Sequence, residues 1–310
     1  MNQIRAITEG SILIALYSIF LLAVLYLPLL GTFFIFALPL PFIIYVVRHS
    51  LKKAFLILIV ALFITYIIGT VASLPMTFMF GTTGMVMGYI YSLKKGAFPI
   101  LIGGTLSYIF NLILVFIVTV LIFDINFIED TKKMLTESIK TAESILSATG
   151  QPNGQTQLLY ESIEMVSYMI PSAIVITSIV LAFVTQLIAN RVLKRLKFDL
   201  KAFPPLRDWQ FPKSLLWYYL IVTLLFMIGI EEGTTLFMIV MNLFMVLELF
   251  MMLQGFVLIY YFCHMKGYSV GIPITIMIIS FLIPFLLSII RILGIIDLGF
   301  DLRKRMKNPQ

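Results

Sequence analysis

Charge is scarce in this chain: 12% of its 310 residues are Asp, Glu, Lys or Arg, while 61% are hydrophobic. A soluble domain carries roughly 25% charged residues, so a water-soluble globule is excluded. The mean hydropathy of +1.06 makes the chain an integral membrane protein. Cysteine occurs once, at Cys263, and histidine twice, at His49 and His264. A single cysteine forbids an internal disulfide, and with no CxxC pair and no converging histidines there is no ligand set for a metal. Strand-length alternation of polar and apolar residues is missing, which excludes a transmembrane β-barrel. No GxxxxGK[ST] segment is present, so the chain has no P-loop of its own. No set of acids, histidines or nucleophiles converges at one membrane depth. The expectation is therefore a protein that is not an enzyme, with no catalytic residue, cofactor or metal.

What the sequence has in abundance is long apolar runs. About 20 helical residues cross the hydrocarbon core, and candidate spans fall at 8–27, 32–47, 54–72, 76–92, 97–123, 167–190, 214–230, 235–262 and 271–293. The fold class expected is all-α, a polytopic helical transmembrane protein of about eight to nine spans. The first run follows Arg5 as a signal peptide would. It reaches Leu27 without a small-x-small cleavage site and is read as a retained span.

The net charge of +7 points to the membrane rather than to nucleic acid, because the basic residues flank the spans. Arg48, Lys52 and Lys53, then Lys94 and Lys95, then the loop from Arg191 to Lys213, then Lys266 occupy one set of loops, while the alternate loops at 28–31, 73–75 and 231–234 hold no Lys or Arg. The rule that basic loops stay inside places the N-terminus in the cytoplasm and makes membrane lipid a partner. The one long insertion, 124–166, falls outside and is net acidic. In it Ile128, Leu135, Ile139, Ala142 and Leu146 recur at helical spacing before the turn TGQPNGQ. A lid over an external opening and a plain solvated hairpin are both open readings.

The final segment is ambiguous. A full crossing over 271–293 strands Arg303, Lys304, Arg305 and Lys307 outside, against the same rule. Pro284, in SFLIPFLLS, allows a re-entrant hairpin that returns the tail to the cytoplasm.

The layout of residues 1–196, six spans with short external loops near Pro28 and Pro75 and a larger one before the sixth, resembles the S component of energy-coupling factor (ECF) vitamin transporters. In SILIALYS, Ser11, Ala15 and Ser18 lie at i, i+4 and i+7 and form a small-residue helix face. The resemblance implies that this face contacts a coupling subunit, with separate ATPases supplying the energy. The stretches NRVLKRLKFDLKAFPPLRDWQFP and LGIIDLGFDLRKRM are similar to the YybS family of bacterial membrane proteins, whose function is unknown; the resemblance implies a bacterial cell membrane. Three expected domains follow: a six-span unit over 1–196, a basic cytoplasmic loop over 197–213, and two to three further membrane segments with a basic tail over 214–310. The added segments depart from ordinary S components and put docking on a coupling subunit in question.

Polar residues inside spans narrow the search for a site. Tyr108 and Asn111, with Ser107, share a short arc of the fifth span, placed either to bind a solute or to bond neighbouring helices. Gly84 and Gly88 form GxxxG, suited to close helix packing. Glu248 stands alone near the middle of 235–262, expected to be protonated or paired. Arg291 is the one base of the next segment able to reach inward, yet counting about 1.5 Å per residue leaves the two about 10 Å apart in depth. Glu248 is a structural acid, a ligand or proton-coupling group, or a general base.

Two functions follow. In the first, a small solute is recognised from outside in spans one to six, with Tyr108, Asn111 and Glu248 as candidate binding residues. In the second, the protein is a scaffold or regulator that docks a partner or anionic lipid through Arg191, Lys194 and Arg195, without transport. The first expects a polar pocket open to the outside near Asn111. The second expects loss of function when the three basic residues are neutralised and normal behaviour of Asn111 variants.

Overall fold

The computed structural model describes residues 2–124, 126–148 and 156–307. Its helices are α1 (Asn2–Tyr26), α2 (Pro28–Phe34), α3 (Leu40–Arg48), α4 (Leu51–Gly69), α5 (Leu74–Ser92), α6 (Ala97–Phe123), α7 (Phe127–Ala148), α8 (Thr156–Arg195), α9 (Ser214–Ile228), α10 (Thr235–Met265), α11 (Gly271–Leu282), α12 (Pro284–Phe300) and α13 (Leu302–Lys307). No strand occurs among the described residues. The protein is an all-α membrane protein, and among the described residues six helical segments are long and apolar enough to cross a bilayer: Ile4–Tyr26, Pro28–Arg48, Leu51–Gly69, Ala97–Leu121, Ser162–Arg195 and Thr235–Met265. The helices Ser214–Ile228 and Gly271–Leu282 are apolar but shorter. The turn expected over 149–155 and the side chain of Leu146 lie outside the described residues.

Local chemistry sets the ends of these helices. Ser50 caps α4, its hydroxyl accepting from the Lys53 amide at 3.4 Å. Thr234 caps α10 by accepting from the Phe237 amide at 3.1 Å, and Asn126 accepts from the Ile128 amide at 3.2 Å at the start of α7. Each satisfies a donor that the first helical turn leaves open. The second expected span is broken into α2, a 3-10 turn at Ile35–Ala37, and α3, because Pro39 and Pro41 remove backbone donors where a continuous helix needs them.

The chain forms two compact units, Met1–Ser138 with Ala173–Phe203, and Ile139–Ser172 with Pro204–Gln310. Their boundaries differ from the sequence division at 196 and 213, since α7 and α8 each contribute to both.

In the first unit the core gathers Tyr17, Leu21, Phe42, Ile43, Met87 and Tyr108. Close approach of α3 and α5 fixes its geometry. A Cβ on Gly84 would lie 2.6 Å from the Pro39 carbonyl oxygen, and one on Gly88 3.0 Å from that of Ile43. The two partners advance together, so α3 and α5 run parallel, and Arg48 and Lys94 end at the same side. Glu9 accepts from His49 Nε2 at 3.0 Å and approaches Arg48 at 3.4 Å, and Tyr91 donates to Asn190 at 2.6 Å. These contacts bring the start of α1 and the end of α8 to that side too, so Arg48, Lys94 and the basic end of α8 collect at one end of this unit.

The second unit has its own core around Leu216, Tyr219, Val240, Leu247, Met251 and Leu298. Asn242 repairs a break in α8. Pro171 lies inside that helix, and the Asn242 carboxamide donates to the Tyr168 carbonyl at 2.7 Å while accepting from the Ser172 amide at 2.7 Å. Those two backbone groups stand four apart and would otherwise bond each other, so the side chain inserts into the helix ladder beside the proline.

The ambiguous final segment is a hairpin. Ile283 is extended and Pro284 begins α12, since proline suits the first helical position but clashes with a preceding turn. From there α12 packs parallel to α10: Arg291 meets Glu248 and Gln254 meets Asp297, each pair 43 residues apart. A constant offset means that both helices point the same way, so the chain reverses at Ile283–Pro284 and the tail returns to the end of α10 that carries Lys266. The contact is made by glycines. A Cβ on Gly294 would fall 1.9 Å from the Met251 carbonyl oxygen, and one on Gly255 1.9 Å from that of Ile290. Gly294→Ala is expected to lower the thermal midpoint of the detergent-solubilised protein by about 4 °C or more, because overpacking against backbone costs about 1–3 kcal/mol. On the same helix, a methyl at Gly299 meets only Leu216 Cδ2, at 3.5 Å, so Gly299→Ala leaves the midpoint unchanged; equal shifts in the two variants would refute this packing.

Candidate functional site

The best-built polar site lies in the second unit, where the tail meets the segment after α8. Asp301, with φ 49°, ends α12 in the left-handed conformation that Asp tolerates better than most residues. The chain bends there and Arg303 turns back toward Asp297. Asp297 is only 3% exposed. Its Oδ2 accepts from Gln254 Nε2 at 2.5 Å, Arg303 Nε at 3.0 Å and Arg303 Nη2 at 2.9 Å. Taking a carboxylate out of water is costly unless charge-assisted donors replace the lost hydrogen bonds.

Arg303 then reaches the other strand of chain. Its Nη1 donates to the Trp209 carbonyl at 2.6 Å and to that of Arg207 at 3.4 Å. Gln254 completes the link by accepting from the Phe211 amide at 3.3 Å. The segment Pro204–Pro212 can be held this way because prolines at both ends keep it out of a helix. It forms one 3-10 turn at Leu206–Asp208 and leaves backbone carbonyls for Arg303. Lys213 adds an ion pair to Asp301 at 2.5 Å. Between the two segments lies a cavity of about 250 Å³ lined by Arg207, Asp208, Gln210, Tyr261, Asp297, Asp301 and Arg303. Among the described residues, the Arg207 guanidinium and the Asp208 carboxylate have no hydrogen-bond or ion-pair partner. The basin therefore offers one free cation and one free anion above an internally neutralised floor.

None of these residues was a sequence candidate. Asp297 had a signal: an acid inside the apolar run LGIIDLGF, followed six residues later by Arg303. Its partner Gln254 is likewise an isolated polar residue in the apolar run of α10.

In the first unit the structure places the sequence candidates as follows. Tyr108 is fully buried and Asn111 is 2% exposed. Asn111 Nδ2 donates to the Ser107 carbonyl at 2.8 Å, its Oδ1 accepts from Thr82 at 3.1 Å, and the Ser107 hydroxyl donates to Thr83 at 3.0 Å. Tyr108 pairs with Thr185 at 3.3 Å. A second chain of hydroxyls runs from Tyr17 to Thr77 at 2.7 Å and on to Thr65 at 2.8 Å. Among the described residues, the buried side-chain polar atoms without a partner are Ser178 Oγ and Gln186 Oε1, so this interhelical seam is nearly saturated from within. On α1, Ser11 and Ala15 are exposed and Ser18 half-buried; the Ser11 and Ser18 hydroxyls bond their own helix, at the Ile7 and Ile14 carbonyls. Ser11 lines a groove of about 400 Å³ with residues of α1 and α4. Arg191, Lys194 and Arg195 are exposed at the end of α8.

Glu248 requires a correction. The expected offset in depth from Arg291 is not there: the two form a direct ion pair. The expectation treated the last helix as ending near 293, whereas α12 runs on to Phe300 in register with α10, which brings Arg291 level with Glu248. The pair is partly exposed, 37% for the Glu248 side chain and 26% for Arg291. The polar residues of α10 thus point three ways to three partners: Asn242 to α8, Glu248 to Arg291, Gln254 to Asp297. Among the described residues no three His, Cys, Asp or Glu gather closely enough to hold a metal ion.

Over residues 15–298 the chain matches the family described as predicted membrane protein (DUF2232), and it belongs to that family. It is 34% identical over 310 residues to the uncharacterized protein YybS of Bacillus subtilis (strain 168), covering 99% of this chain and 100% of that protein. No solved structure matches.

The two charge pairs of the second unit are expected to respond differently to removal. Glu248→Leu or Arg291→Leu alone leaves a lone charge at mid-membrane depth and is expected to cut the yield of folded protein several-fold, at a cost of about 2.5 kcal/mol or more. The double variant removes both charges and restores the yield. At Asp297 and Arg303 the double leucine variant does not restore it, because Gln254 and the Trp209 carbonyl lose their partners too. Yields by size-exclusion chromatography decide; failure of the first double variant to recover would contradict a self-contained pair.

Proposed function

We propose that this member of the DUF2232 family is a membrane-embedded binding protein that recognises a small charged molecule in the basin around Arg207, Asp208 and Asp297, without catalysis of its own. One observation carries the reading. The Asp297–Arg303 pair draws together two segments distant in sequence, Pro204–Pro212 and Asp297–Arg303, around a cavity of about 250 Å³ lined by a cation and an anion, Arg207 and Asp208, that have no partner among the described residues. Buried polar networks of this cost mark sites in membrane proteins. The basin lies at the end of α10 bearing Lys266, beside the basic tail, and the retention of basic loops inside makes it cytoplasmic. In the first unit, the exposed Arg191, Lys194 and Arg195 suit anionic headgroups. A solute held from outside at Tyr108 and Asn111 has less support, since their polar atoms are taken up by neighbouring helices.

A second reading, assembly with a coupling subunit and ATPases in the manner of an ECF S component, is favoured by the groove beside Ser11. Ala6, Gly10 and Ser11 are the small residues of its largely apolar lining, where a partner helix could approach α1 closely.

The first reading is tested by purifying the protein from its native membrane in mild detergent, denaturing it and identifying the released small molecules by mass spectrometry. Wild type is expected to carry a molecule that the Arg207→Ala, Asp208→Ala double variant carries at about one tenth the level or less, a loss of about 1.4 kcal/mol or more in affinity. Equal recovery from both proteins would remove the basin as the site. Recovery of coupling and ATPase subunits, lost on Ser11→Leu, would move the function to the second reading.

A further inference from the structure

The charged basin does not stand alone. Arg207 is also a wall of a cavity of about 170 Å³ that includes Leu206, Tyr260, Cys263 and Tyr268. Cys263 and Tyr268 in turn line a third cavity, of about 400 Å³, among α10, α11, α12 and α13. Leu258, Ile272, Ile276, Leu293, Leu302 and Met306 complete it, and it presents only apolar surface. Three neighbouring spaces, joined by shared walls and all within the second unit, therefore grade from charged through mixed to apolar. The apolar one falls inside the range of about 300–1,000 Å³ typical of small-molecule sites.

The charges of the basin constrain the head of any occupant. Asp297, Arg303, Asp301 and Lys213 are committed to ion pairs with one another. Among the described residues Arg207 and Asp208, adjacent on the 3-10 turn, have none. A head of one sign would satisfy one of them and repel the other; a head carrying both signs satisfies both. The neighbouring apolar cavity asks for a hydrocarbon chain, because a void that presents only apolar surface gains nothing from a polar solute.

Resting on the reading of the basin as a binding site, we infer that its ligand is an amphipathic zwitterion. The anionic group of the head meets Arg207, the ammonium meets Asp208, and a single hydrocarbon chain passes Tyr268 and Cys263 into the cavity between α10 and α12. The chain gives the ligand its residence in a membrane protein, and the head selects it from the bulk lipid.

Cys263 is the single cysteine of the chain, is buried and stands where the second and third cavities adjoin, so its alkylation reports a chain in place. The full-length protein in maltoside micelles, free of zwitterionic lipid, is treated with N-ethylmaleimide with and without lysophosphatidylethanolamine. Fluorescence of Trp209, in a Trp217→Phe background, reports the basin separately. The lysolipid is expected to slow alkylation about fivefold or more and to shift Trp209 emission. Both effects are lost in the Arg207→Ala, Asp208→Ala double variant. Glycerophosphoethanolamine, the same head without a chain, shifts the emission and leaves Cys263 unprotected. If both compounds shift Trp209 emission and neither protects Cys263, the inference of a chain fails while the basin stands as a site. Equal protection by lysophosphatidylglycerol or by a fatty alcohol would overturn the zwitterionic head. If no compound changes either signal, the basin and the inference fall together.

Discussion

A carboxylate buried to 3% exposure at the end of a membrane helix sets the terms for the second unit. Asp297 has left water, and three donors crowd its Oδ2 in place of it. Two come from Arg303, which therefore cannot wander with the tail, and the third comes from Gln254 on α10. Arg303 has donors to spare after serving Asp297, and they fall on the carbonyls of Arg207 and Trp209. One acid thereby fixes the tail, the register of α12 on α10 and the course of a proline-bracketed segment nearly a hundred residues earlier.

The interhelical seam of the first unit solves the same problem with neutral groups. Its buried hydroxyls and amides are arranged in relays, Tyr17 to Thr77 to Thr65 and Thr82 to Asn111 to Ser107, and glycines on α5 let α3 come close enough for side chains to mesh. Such a seam gives packing specificity in lipid, where apolar contact alone cannot tell one helix from another. It also leaves Tyr108 and Asn111 little to offer a ligand.

Much of the fold was legible in the sequence. Apolar runs of span length between charged clusters locate α1, α4, α6, α8 and α10, since hydrocarbon tolerates little else. The reversal at Pro284 was visible as one of two readings, from the proline and from the basic tail. Depth was misjudged for Arg291 because register between helices is set by side-chain fit: the glycines at 255 and 294 that lock α12 to α10 give no signal in a hydropathy count. The basin was missed for a related reason. Its residues are hydrophilic and lie in segments read as loop and tail, and only their convergence distinguishes them from ordinary surface charge. Asn242 belongs to the same class: in the sequence it is an isolated amide in an apolar run, and its task at Pro171 depends on a helix seventy residues away.

Arg303, anchored on Asp297, holds the 204–212 segment in place. Hydrogen–deuterium exchange of the full-length protein, comparing wild type with Arg303→Gln, tests it most directly. The account predicts that amides from Leu206 to Phe211 exchange about tenfold faster or more in the variant, as local opening becomes easier, while those of α3 and α5 keep their wild-type rates. Unchanged protection over Leu206–Phe211 would contradict it, and would mean that the segment is held by something other than the buried charge pair.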